Sequence, residues 1–243
     1  MPSDVPDRAA QPVAARRVRA ALAAAADLGM FFGLADAAGG RGGWQPAGLL
    51  YAGDDGQLDL ILESVRVQLG GCEPRVAASL FFQGYAARLL SPQLGCLVAG
   101  GCVPDLPAAA LHWRRSGAAM IELGMTAGPG WQGAADALVA RIIAVAFDEH
   151  LDPLASAVRA RMPVAENVLR DNAASALVAG LRLLSGRLGP GWRALAAQAL
   201  AGPYLRGCGS LHDADPAFVR RSCCLYYRVA GGGMCGDCPL PEL

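Results

Sequence analysis

Apolar positions recur along this chain mainly at helical spacing. Residues 12–35 are alanine-rich, with Val18, Leu22 and Leu28 among the apolar positions and Gly33 following, which predicts a helix. Residues 58–90 mix two periods. Val65, Val67 and Leu69 alternate with Arg66 and Gln68 as a strand does, while the flanks read as helix. From Val76 onward Ala78, Phe82, Tyr85 and Leu89 mark one helical face, and Ser91-Pro92 is expected to break that helix or begin the next. Further helices are predicted over 133–149 (Leu138, Ile142, Val145), 164–186 (Ala174, Leu177, Leu181, Leu184) and 190–202, the last opening at Pro190-Gly191-Trp192. Asp152 before Pro153 has the form of an N-cap followed by a first-turn proline.

One segment alternates with period two. In AAMIELGMT, Ile121, Leu123 and Met125 alternate with Glu122 and Gly124, and Gly128-Pro129-Gly130 follows, so a strand is predicted there. The pattern describes an α+β chain, predominantly helical, with a small antiparallel β-sheet. The glycine-rich GGRGGW (39–44) lacks the GK[ST] ending of a phosphate loop and follows no strand, and is expected to be a flexible surface loop.

Composition narrows the classes. Hydrophobic residues make up 53% of the 243, enough for a sizeable core. Net charge is zero, so no global field attracts nucleic acid or an anionic membrane. No apolar run of about 18 residues escapes a charged or strongly polar group, so no transmembrane helix is expected. The N-terminus has arginines before an alanine-rich stretch, but acidic residues precede them and Asp27 interrupts it. It is a poor signal peptide, and residues 1–15 are expected to be a flexible tail.

Cysteine placement changes the picture most. Of the eight, Cys223, Cys224, Cys235 and Cys238 fall in the last 21 residues. A disulfide framework would spread its cysteines through a small secreted chain, whereas this clustering points to a metal site in a reducing compartment. Cys72, Cys96 and Cys102 read as small packing residues, and Cys208 lies fifteen residues before Cys223.

Thiolates select zinc or an iron–sulfur cluster. CGDC is a zinc-type knuckle, but the adjacent Cys223 and Cys224 are not, because neighbouring side chains diverge and would reach a single small ion only with backbone distortion. A two-iron cluster is a wider target. Gly231, Gly232, Gly233 and Gly236 can bring bare backbone amides to it, and Arg220, Arg221 and Arg228 can balance its charge. Tyr226 and Tyr227 read as packing residues. The histidines, His112, His150 and His212, have no ligand-motif spacing, which disfavours a Rieske-type cluster or a zinc hydrolase; His150 is expected to meet a helix dipole. Trp44, Trp113, Trp131 and Trp192 read as core or interface residues.

RRSCCLYYRVAGGGMCGDCPL (220–240) resembles the C-terminal signature of FhuF-type ferric-siderophore reductases, CC-x10-C-x2-C, at all four cysteines, the glycine run and the knuckle. RVAASLFFQGYAARLLSPQL (75–94) and NAASALVAGLRLL (172–184) resemble helices of that family's body. The resemblance implies a [2Fe–2S] cluster held by Cys223, Cys224, Cys235 and Cys238. It also implies cytoplasmic one-electron reduction of iron(III) in an imported siderophore. Oxygen chelates hold iron(III) far more tightly than iron(II), so one electron releases the metal. With no dinucleotide fingerprint, a separate donor, a ferredoxin or a reductase, is expected. The implied organisation is a tail (1–15), a helical body with a small sheet (16–215) and a cluster-binding segment (216–243) packed on the body. A pure electron carrier and a zinc-stapled interaction module are the rival readings.

Overall fold

The computed structural model describes residues 10–38, 42–53, 56–117, 120–213 and 217–240. The predominantly helical α+β class holds. Residues 39–41 of the glycine-rich loop and residues 1–9 of the expected tail lie outside the described residues. Residues 11–15 of that expected tail are ordered: β1 (Gln11–Val13) pairs antiparallel with β7 (Gly130–Gln132), and α1 (Ala15–Ala26) begins directly after it.

The organising element is α4 (Pro74–Gly100), which packs between α1 and α7 (Glu166–Leu183). It runs straight through Ser91-Pro92, where a break was expected. Both residues are buried, and packing along both flanks of α4 outweighs the one backbone hydrogen bond that proline removes. The mixed pattern before it resolves as α3 (Gln57–Gln68): Leu58, Ile61 and Leu62 face the core while Val67 is exposed. Val65–Leu69 therefore alternates by coincidence and forms no strand.

β5 (Leu111–Ser116) and β6 (Met120–Met125) form the antiparallel centre of a four-stranded sheet, flanked by β2 (Ala35–Asp36) and β3 (Gln45–Pro46). Leu111, Trp113, Ile121, Leu123 and Met125 face the core, as period two requires, and Arg114 meets Glu122 directly across the strands at 2.7 Å. The only departure from antiparallel pairing among the described strands is β2, which joins β6 in parallel. Two smaller sheets accompany it: β7 between β1 and β4 (Cys102–Pro104), and a ribbon of β8 (Gly209–Leu211) and β9 (Phe218–Arg220).

Asp152 caps nothing. α5 (Ala135–Ala146) continues through a π-helical turn, Phe147–Leu151, into α6 (Asp152–Arg159), and the preceding Leu151 is already helical. Pro153 has no amide to continue the ladder, and the wider π turn accommodates that loss without ending the helix. His150 sits buried in this turn rather than at a helix end. Its Nε2–H donates to the Leu106 carbonyl at 2.8 Å and its Nδ1 accepts from Tyr51, whose hydroxyl also bonds Tyr85. With α2 (Ala47–Ala52) and α8 (Gly191–Ala201) these elements enclose a main core reaching from Phe32 to Phe218, beside a small cluster of Ala21, Ala25, Cys96 and Cys102.

Candidate metal centre

The chain leaves β9 at Arg220 and enters the cysteine segment immediately. Leu225, directly after the cysteine pair, is the only non-glycine at positive φ (+71°) among the described residues. This left-handed step disfavours a side chain by roughly 1–2 kcal/mol, and such backbone gathers at functional sites. It turns the chain so that the Leu225 amide donates to Cys223 Sγ at 3.3 Å. The divergence expected of adjacent side chains is thus met by bending the backbone after them.

A 3-10 turn, Tyr226–Arg228, leads into the glycines. Gly231 takes φ +72°, and a Cβ on Gly232 would lie 2.3 Å from the Tyr226 carbonyl oxygen, so the reversal there requires glycine. The reversal folds CGDC back onto the cysteine pair. Cys224 and Cys235 Sγ stand 3.6 Å apart, and Cys223 interacts with Cys238. Two thiolates at about 2.3 Å from one tetrahedral metal lie about 3.8 Å from each other, so the Cys224–Cys235 pair has the spacing of shared ligands. Cys238 Sγ also contacts Met234 Sδ at 3.3 Å. Among the described residues no three His, Cys, Asp or Glu side chains converge as a single-ion site. The thiols stand as two pairs, and all eight cysteines of the chain are free.

Their electrostatics are unequal. Hydrogen bonding from Cys235 draws the Cys224 thiol down to about 7, aided by the Tyr226 amide and the charge of Arg220. Cys235 is pushed up by that same partnership and by burial. Burial raises Cys223, against the Leu225 amide.

A buried polar anchor fixes the segment to the body. Ser79 on α4 donates to the Cys224 carbonyl at 2.8 Å, and Asn172 on α7 donates to both the carbonyl and the hydroxyl of Ser79. Arg220 donates to Asn172 Oδ1 at 2.6 Å, to Ser175 Oγ at 2.5 Å and to both oxygens of Asp237 at 2.9 and 3.0 Å. Its own amide donates to the Asp237 carbonyl. Asp237 lies inside CGDC, so one arginine clasps the knuckle from both backbone and side chain. Asp171, also buried, accepts from the amide and the hydroxyl of Ser222.

The three flanking arginines therefore differ. Arg220 is fully buried, Arg221 is exposed, and Arg228 pairs with Glu73 at 2.7 Å. Tyr226, expected to pack, is 40% exposed. Cys208 is buried next to Asp171, and burial pushes its thiol up to about 12. Cys96 and Cys102 are packed with Ala21 and Ala25 as expected, and Cys72 stands apart, half-buried. Trp113 and Trp192 are core residues, while Trp44 and Trp131 carry Arg114 and Arg141 over their rings. Ser79 on α4 and Asp171, Asn172 and Ser175 on α7 carried no sequence signal, because each reads locally as an ordinary polar position of a helix. A buried polar residue on a helix's core face is the one clue such positions offer.

A cavity of about 630 Å³ lies elsewhere, lined by Met30, Phe31, Gly84, Arg88 and Ile121 among others. At 100° per residue Gly84 and Arg88 project from the side of α4 opposite Ser79, so the helix separates this cleft from the thiols.

The donor set suits an iron–sulfur cluster: four thiols standing as two pairs in one short segment. Residues 220–240 match the FhuF 2Fe-2S C-terminal domain family. This is the region of the clustered cysteines and indicates a [2Fe–2S] cofactor. No curated protein matches the chain.

Proposed function

We propose that the protein is a ferric-siderophore reductase in which Cys223, Cys224, Cys235 and Cys238 hold the [2Fe–2S] cluster. The observation that carries this reading is the closure of CGDC onto the cysteine pair, giving two thiol pairs within the segment that matches the FhuF family. The cluster, when bound, supplies single electrons at a potential set by its surroundings. The chain's residues do the rest. Ser79, Asn172, Ser175 and Arg220 fix the segment against α4 and α7, so the thiols keep their spacing. Burial of Cys224 closes the inner side to water, while Gly231, Gly233, Gly236 and Tyr226 leave the outer side open. Side-chain-free backbone there lets a bulky chelate come close to the thiols, and no proton shuttle or nucleophile is required. The substrate is iron(III) held by a siderophore; one electron converts it to weakly held iron(II). We place the protein's action in the cytoplasm, where clustered cysteines stay reduced and available to a metal, and an external ferredoxin or reductase is the proposed donor. No helix among the described residues is long and apolar enough to cross a membrane.

Anaerobically purified protein is expected to be brown, with about two irons per chain. The chemically reduced protein should be reoxidised by a ferric siderophore, with iron(II) captured by a trap. A colourless protein carrying one zinc would sink the reading. A loaded protein that no ferric chelate reoxidises would be an electron carrier instead.

A further inference from the structure

Arg220 is the largest charged side chain in the interior, with no exposed side-chain surface. Burying a guanidinium is unfavourable unless its donors are met. Four of its contacts account for the two terminal nitrogens: Asn172, Ser175 and the two oxygens of Asp237. Nε–H is left over, buried and without an acceptor among the described residues. The charge of Arg220 reaches the Cys224 and Cys235 thiols, and its backbone and side chain both hold the knuckle residue Asp237. Arg141 and Arg161 also carry a buried Nε–H without an acceptor among the described residues, but Arg220 alone of the three acts on the Cys224 and Cys235 thiols and holds Asp237 of the knuckle.

We propose that Arg220 sets the reduction potential of the cluster: its Nε–H donates to a cluster sulfur, and its buried positive charge stabilises the reduced state. This rests on the cluster assignment above and adds to it a residue that is not a ligand. Each electron added makes a four-thiolate cluster more negative, so a fixed nearby cation favours the reduced form and raises the potential. Asp237 opposes this, yet it does not cancel it. The Asp237 side chain is 17% exposed and that of Arg220 is wholly enclosed, so water screens the carboxylate more than the guanidinium. Opposite signs for the two residues follow, which a purely structural clasp would not produce.

The experiment is a redox titration of cluster-loaded wild type, Arg220→Gln, Arg220→Lys and Asp237→Asn, followed by visible absorption. Arg220→Gln should lower the reduced-to-oxidised ratio at a fixed poise by about tenfold, equal to about 59 mV for one electron. Arg220→Lys, which keeps the charge, should recover most of that shift. Asp237→Asn should move the ratio the other way. Wild-type potentials in both Arg220→Gln and Asp237→Asn, or shifts of the same sign, would overturn the proposal. If Arg220→Gln does not hold a cluster, the wild-type protein itself decides. With arginine labelled by 15N, pulsed electron paramagnetic resonance of the reduced cluster should detect a coupled arginine nitrogen, and its absence would overturn the Nε–H contact. Wild type without any [2Fe–2S] cluster would instead bring down the functional reading, and loaded variants with wild-type potentials only this inference.

Discussion

At the residue scale, the cysteine pair and the backbone after it decide the site. Cys224 is buried, pairs with Cys235 and is the thiol drawn toward neutrality. Cys224→Ser is therefore expected to remove most of the bound iron and the visible absorption, measured per chain after anaerobic purification. Cys208→Ala should leave both unchanged, because burial and Asp171 hold that thiol protonated. Leu225 makes a sharper test. Its left-handed backbone brings its amide to Cys223, so Leu225→Gly should load iron as wild type does. Leu225→Val should load several-fold less, since a β-branched residue resists positive φ. The four thiols were legible from spacing, because a short segment keeps sequence neighbours together in space. Their anchor was not. Ser79, Asn172 and Arg220 meet only after α4, α7 and β9 pack, and nothing local to each announces the other two.

At the element scale, packing overrules local signals where two faces of a helix are covered. Pro92 looked like a terminus and Val65–Leu69 like a strand, since proline and alternation are local cues. The neighbours of α4 and α3 decided otherwise. β6 was legible because one face of its sheet is buried and the other carries the Arg114–Glu122 pair. The contact of α1 with α4 shows how close these layers run. A Cβ on Gly100 would stand 2.4 Å from Ala21 Cβ and 2.9 Å from its Cα. Gly100→Ala removes helix-disfavouring flexibility yet forces the two helices apart. The clash involves backbone rather than a mobile side chain, so it should prevail, costing about 1–3 kcal/mol in urea unfolding. Asn172→Ala is expected to cost a similar roughly 1–3 kcal/mol, because Ser79 and Arg220 each lose a buried partner. It should also lower cluster retention, whereas Gly100→Ala, at the far end of α4, should not.

At the scale of the whole molecule, a second polar knot ties the fold together far from the thiols. His150, in the π turn, joins Tyr51 on α2, Tyr85 on α4 and the Leu106 carbonyl after β4. The composition could not reveal it, since a lone histidine reads equally well as surface. Burial holds the imidazole below its ordinary value of 6.5, against the Leu106 carbonyl and the neighbouring Glu149. The unfolded chain therefore binds a proton that the native state resists, and the sign follows: stability is complete above about 6.5 and is lost as pH falls below it. One such group changes stability by at most about 1.4 kcal/mol per pH unit. Urea unfolding at about pH 5.5 should thus show less stability than at about pH 7.5, by at most about 1.4 kcal/mol from this group. His150→Gln keeps an amide able to reach Tyr51 or Leu106 but cannot take the proton. It should be less stable at neutral pH and lose that share of the pH dependence. An unchanged slope between the two pH values would mean that His150 takes up its proton in the fold as readily as in the unfolded chain.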